Sequence, residues 1–175
     1  MNPRYASGYK SASQITRKIT EAWAGVNLFC VACESPSLDS SAVNTEAVDF
    51  KCSSCGAVYQ LKALKSWNER RIPDTGYDVM MRALQSDSIP NLLIMHYTPE
   101  WVVHNLLLIP SFFFSPAAIQ KRKPLSPNAR RAGWVGCNIL LSEIASDGKI
   151  RIVSHGTPLL PETVRTHYNL VRPLW

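Results

Sequence analysis

Apolar and polar positions follow two different periods along this chain, and the periods divide it into elements. Ile15, Ile19, Trp23 and Val26 recur at helical spacing behind Ser11 and Ser13, two residues able to cap, which predicts a helix over about 13–25. Residues 34–45 are rich in serine, with Pro36 and Asn44, and read as a loop. EAVDFKC (46–52) and AVYQLKAL (57–64) read as two strands around a tight CSSCG turn. YDVMMRALQSD (77–87) carries Val79, Met80, Ala83 and Leu84 at the spacing of a second helix. NLLIMHYT (91–98) and WVVHNLLLI (101–109) are apolar runs expected of well-buried strands, and SPAAIQ (115–120) of a short helix. VGCNILL (135–141) and KIRIVS (149–154) complete the strands, with ASDGK (145–149) as the turn between them. The short tail from Pro161 to Trp175 carries no clear pattern. Helix, strands, helix, strands describe a mixed α/β fold around a central sheet.

Composition narrows the class. At 175 residues, 46% apolar and 18% charged, the chain is expected to form one globular domain over 1–175, not a disordered, collagen-like or coiled-coil chain. No apolar run reaches the roughly 18 residues of a membrane span. The longest, NLLLIPSFFF (105–114), is broken by Pro110. The N-terminus MNPRYASGYK lacks a signal-peptide core, so a cytoplasmic protein with no membrane partner is expected.

Net charge is +6, which favours polyanionic partners. Its placement sharpens this. KRKPLSPNARR (121–131) holds five basic residues and no acid, while Glu34, Asp39, Glu46 and Asp49 gather elsewhere. That arrangement suits a protein that grips phosphates at one place and holds metal at another.

Cys30 and Cys33 form one CxxC pair; Cys52 and Cys55 form a second, after 18 intervening residues. Two such knuckles predict a four-cysteine zinc site within an insertion at about 28–56. Thiolates are soft and anionic, and two-residue spacing lets both sulfurs of a knuckle reach one ion. Gly56 permits the tight turn that follows. A closed set of four thiolates is structural, because no coordination position stays open. Cys137, left over, reads as a small buried hydrophobe, and His96 and His104 as core or hydrogen-bonded residues of apolar strands.

The zinc turn joins the strands that carry Asp49, Gln60 and Lys62. Alternate strand residues share a face, so Gln60 and Lys62 point one way and Leu61 the other. A hairpin would bring Asp49 near them. Asp, ten residues, then Gln-x-Lys is similar to the motif of the PD-(D/E)XK nuclease superfamily. In that chemistry Asp49, the Gln60 amide oxygen and the Leu61 carbonyl would hold Mg²⁺, and Lys62 would steady the attacking water or offset transition-state charge. The bland alternative is a solvated strand face.

Longer stretches carry a more specific likeness. QKRKPLSPNARRAGWVGCNILLS (120–142), TEAW (20–23), the CxxC pairs, VDFKCSSC (48–55) and IPNLLIMHYT (89–98) resemble the DpnI family of methyl-dependent restriction endonucleases over roughly residues 9–160. The resemblance implies a PD-(D/E)XK catalytic fold, a mixed central sheet flanked by helices, with an embedded structural zinc. It implies Mg²⁺-dependent hydrolysis of double-stranded DNA at GATC-like sites bearing N6-methyladenine, as a type II site-specific deoxyribonuclease of a restriction system. Trp134, in RRAGWVG, matches a tryptophan that lies at the methylated site in the family. Lys121, Arg122, Lys123, Arg130 and Arg131 would contact phosphates or base edges. Glu21, in TEAW, matches a helix carboxylate that reaches the metal through water; its other reading is an exposed helix glutamate.

Two departures bear on this expectation. Gln60 stands where the family usually has glutamate, removing one negative charge from the metal site. The alternative function is therefore a methyladenine-DNA binding module that does not cut. The DpnI enzyme also continues into a winged-helix domain, and this chain stops at Trp175.

Overall fold

The computed structural model describes residues 1–42 and 48–172. Asn44 of the expected loop, Glu46 and Ala47 at the start of the expected strand 46–52, and the end of the tail through Trp175 lie outside the described residues. The chain forms two compact units: Met1–Trp67, Pro90–Pro110 and Asp147–Trp175 make the first, and Asn68–Ile89 with Ser111–Ser146 the second.

In the first unit a seven-stranded sheet runs β1 (Asp39–Ser40), β2 (Phe50–Lys51), β3 (Val58–Leu64), β5 (Asn91–Tyr97), β6 (Val103–Ile109), β9 (Ile150–Ser154), β10 (Thr157–Pro158). Among the described residues only β3 and β5 pair in parallel, with Gln60 opposite Leu92 and Lys62 opposite Ile94. Leu92–Met95 and Leu106–Ile109 are buried on both faces, as their unbroken apolar runs require. Helix α1 (Ala12–Asn27) is joined to β5 by the Thr16 and Tyr97 hydroxyls, 3.1 Å apart. Its buried stripe is Ile19, Thr20 and Ala24, while Val26, expected in the apolar face, is 78% exposed. Thr20 is accommodated because its hydroxyl donates to the Thr16 carbonyl one turn back, at 2.8 Å. Ser11 occupies the cap position, but its hydroxyl bonds Ser13 instead of a free helix amide.

The tail is ordered where no pattern was read. Pro161–Val171 forms α3, with proline at its first turn and Val164, Tyr168 and Val171 buried at helical spacing.

The second unit holds a three-stranded sheet, β4 (Arg71–Gly76), β8 (Gly136–Leu140) and β7 (Ile119–Lys121), with α2 (Tyr77–Gln85). Ile72, Ile139 and Ile119 sit in register across it and are all buried. The expected helix at SPAAIQ is one 3₁₀ turn, Pro116–Ala118, because Ile119 onward is taken up by pairing with β8. ASDGK is not a hairpin turn: β8 and β9 lie in different sheets, and short 3₁₀ turns at Leu141–Glu143 and Ser146–Gly148 carry the chain between them.

Candidate functional site

The first unit brings all four paired cysteines together. Their sulfurs lie within 4.8 Å of one another. Cys30 and Cys55 are 3.6 Å apart, as are Cys33 and Cys52. Tetrahedral zinc with Zn–S bonds of about 2.3 Å needs sulfurs about 3.8 Å apart, so the soft donor set and its spacing both fit a zinc ion. Gly56 takes the positive φ of +78° that the turn needs. Burial disfavours the Cys52 thiolate, but the backbone N–H groups of Cys55 and Ser54 outweigh it and hold its pKa down at about 6. Burial pushes Cys30 up.

Two residues outside the knuckles fasten this cluster. The Tyr59 hydroxyl lies 3.2 Å from the Cys30 sulfur and accepts the Val31 N–H at 3.2 Å. Arg165, from α3, donates to the Cys30 and Ser35 carbonyls at 3.0 and 2.9 Å, meets Glu34 at 3.3 Å, and lies over the Phe29 ring.

Tyr59 also belongs to the expected catalytic hairpin. Strands β2 and β3 pair antiparallel through Lys51–Val58 and Phe50–Tyr59. Beyond Phe50 the ladder changes character. Asp49 donates its N–H to the Tyr59 carbonyl at 2.9 Å, and its carboxylate Oδ2 accepts the Leu61 N–H at 2.7 Å. A side-chain carboxylate thus stands where the next backbone rung would be. The N–H and C=O of one strand residue point to the same side, so the Leu61 carbonyl is directed to the Asp49 side as well. Gln60 and Lys62 flank Leu61 and share the opposite side-chain face from it; both are half-buried.

Helix α1 supplies the remaining charge. Arg17 Nε meets Glu21 Oε1 at 2.5 Å, and Arg17 Nη2 lies 3.9 Å from Asp49 Oδ1. The hydrogen bond and charge of Glu21, with Asp49 adding, raise the Arg17 pKa. The expected acidic group is therefore divided among partners. Glu34 goes to Arg165, Asp49 to Arg17, Asp39 lies on β1 opposite Lys51, and Glu46 is outside the described residues.

In the second unit Trp134 is half-buried. Arg131 lies over the ring at 4.4 Å. Gly136 packs against the six-membered ring so closely that a Cβ there would fall 2.7 Å from Cη2 and 2.8 Å from Cζ3. The loop is tied by Leu125 N–H to the Trp134 carbonyl and by Gly133 N–H to the Leu125 carbonyl, with Gly133 at φ +77°. Leu125, Ala129, Arg130 and Arg131 line a hollow of about 460 Å³. Lys121, Arg122, Lys123 and Arg130 are exposed, and Lys121 stacks on Tyr77 at 5.0 Å. Cys137 is buried, with its thiol 3.3 Å from the Thr75 carbonyl.

Arg17, Tyr59 and Arg165 were not singled out in the sequence. Arg17 stands four residues before Glu21, a spacing that signals a helix-surface ion pair. No local signal marks Arg165, which meets the knuckle only through the fold. His96 is a satisfied strand histidine: its Nδ1 lies 3.3 Å from the Asn105 amide nitrogen, and burial with the nearby His104 lowers its pKa. No helix among the described residues is long and apolar enough to cross a membrane.

A family model described as DpnI, Dam-replacing family, matches residues 1–174. The chain belongs to that family, and membership implies a nuclease that binds DNA.

Proposed function

Proceeding from membership of the DpnI, Dam-replacing family, we propose that this protein is an endonuclease that cuts double-stranded DNA at GATC-like sites carrying N6-methyladenine. The observation that carries the reading is the Asp49 carboxylate, held by the Leu61 N–H at the open end of the β2–β3 ladder, with Lys62 one residue beyond. One carboxylate with two neutral oxygens, from Gln60 and Leu61, is a donor set that fits Mg²⁺, which usually keeps several waters. When bound there, the ion would polarise the phosphate and acidify a water.

The chain's own residues supply the rest. Leu61 fixes the carboxylate, so no reorganisation is needed when the phosphate arrives. The Lys62 ammonium offsets charge that grows on the phosphate oxygens. The basic groups of 121–131 grip phosphates without regard to sequence. The Trp134 indole offers an apolar surface to the adenine methyl groups. The neutral Gln60 amide favours a second reading, in which the site binds methylated DNA without cutting it.

Incubating methylated and unmethylated plasmid with the protein and Mg²⁺ tests both readings. Cutting of the methylated plasmid alone is expected. Methyl-selective retention without cutting supports the second reading, and neither effect removes both.

A further inference from the structure

We propose that Arg17 is a phosphate-contacting residue of the cutting site, held in place by Glu21; the inference rests on the nuclease reading and adds a cationic arm to it. Three observations carry it. First, the guanidinium is anchored along one edge. Nε meets Glu21 Oε1 at 2.5 Å, one helical turn away, and the terminal nitrogen Nη2 lies on the Asp49 side. Second, the terminal nitrogens make only a long ion pair with Asp49. Nη2 lies 3.9 Å from Asp49 Oδ1, beyond hydrogen-bond range but close enough to feel its charge. Among the described residues they make no hydrogen bond. Third, Arg17 is open and its neighbours are not: its side chain is 61% exposed, against 26% for Glu21 and 21% for Asp49.

The chemistry of the spot selects the ligand. Asp49 Oδ2 is taken by the Leu61 N–H, so Oδ1 and the free edge of Arg17 border the same space. A group entering that space meets a fork of N–H donors beside a carboxylate. A phosphodiester fits the fork, because guanidinium can bind phosphate oxygens in pairs. It also needs the fork, because an unshielded carboxylate would repel it. Glu21 is then a positioning residue: it keeps the fork turned toward Asp49. The rival account is an ordinary exposed i,i+4 ion pair with no ligand.

The experiment uses the whole protein and two readouts. The first is binding of duplex DNA without divalent cation over a series of salt concentrations. Loss of one phosphate contact in Arg17→Ala should lower the steepness of log affinity against log salt by about 1. Glu21→Gln should leave that slope unchanged, since the Arg17 charge remains. The second readout is cutting with Mg²⁺. Arg17→Ala should lose about a hundredfold in rate, as for removal of one preorganised donor, and recover part of it in added methylguanidinium. Arg17→Lys should keep most of the slope yet not the rate, because an ammonium has no edge for Glu21 to hold.

The substitution lies on an exposed helix position where alanine favours helix, so folding is expected to survive; Arg17→Gln serves as a second variant. If the wild-type protein cuts no DNA, the nuclease reading fails and the salt slope alone judges Arg17. An unchanged slope in both Arg17→Ala and Arg17→Gln overturns the inference whether or not the wild type cuts.

Discussion

Lys62 is the only charged side chain within β3, and its place beside Leu61 gives it one testable task. If it offsets charge in the transition state, its loss falls on rate and leaves binding alone. Lys62→Ala is expected to lose several orders of magnitude in cutting while still retaining methylated duplex in a gel-shift assay. Asp49→Asn separates charge from geometry at the neighbouring residue. An amide oxygen can still accept the Leu61 N–H, so the thermal midpoint should stay within a few degrees while cutting disappears. Survival of cutting in either variant would place the chemistry elsewhere. Gly136 performs a different task at the same scale. A Cβ there would fall 2.7 Å from the Trp134 ring, so Gly136→Ala must push the indole off the strand. Two methyl groups against indole are worth about 2 kcal/mol by area, a preference of roughly thirty-fold. Gly136→Ala and Trp134→Ala should both erase most of that preference in titrations of matched duplexes with and without methyl groups. A preference that persists in both variants would mean the methyl groups are read away from Trp134.

Among elements, those with a strong period were legible and those stabilised by distant partners were not. The apolar runs of β5 and β6 announced buried strands, and α1 and α2 showed their spacing. Strand β4 shows no strand pattern because Ile72 is its only large apolar residue and Pro73, Asp74 and Gly76 are residue types that strands disfavour. It is a strand because β8 supplies the pairing, with a register shift between Pro73 and Gly76. Helix α3 was missed for a related reason: its three buried positions are spread through polar residues, and its anchor is Arg165 on the zinc knuckle. The candidate site was partly legible. Spacing alone foretold the cysteine cluster and placed Asp49 on the hairpin. It could not show that Asp49 replaces a ladder rung, because that depends on where β2 stops pairing. The knuckle carries two predictions. A structural zinc contributes about 10–16 kcal/mol of apparent binding energy in small peptides, as large as a typical domain's stability. Cys52→Ser, or prolonged chelation, should therefore abolish cooperative melting followed by circular dichroism; a well-folded, metal-free Cys52→Ser protein would end the zinc assignment. Arg165→Met removes two charge-assisted bonds to backbone carbonyls from a side chain only 13% exposed. It should cost about 2–3 kcal/mol in chemical denaturation with zinc still bound.

For the molecule as a whole, charge and methyl recognition are expected to separate in their response to salt. The net charge of +6 is concentrated where it can act: 121–131 contributes five basic residues without an acid. Each phosphate that such a loop neutralises releases counterions, and log affinity falls against log salt by about 0.9 per phosphate on duplex DNA. Changing Lys121, Arg122 and Lys123 together to glutamine should flatten that slope by between about 2 and 3, the lower figure applying if Lys121 stays committed to Tyr77. Affinity at low salt should drop steeply and converge on the wild-type value as salt rises. The ratio of affinities for methylated and unmethylated duplexes should not follow. It comes from apolar area buried against an indole, which releases no counterions. That ratio should stay near its starting value in the triple variant and at every salt concentration. Binding of matched duplexes at 50 and 200 mM salt, about the span over which several contacts lose orders of magnitude, resolves both quantities in one series. A ratio that collapses together with the slope would assign methyl recognition to the basic loop itself and leave Trp134 only the work of shaping it.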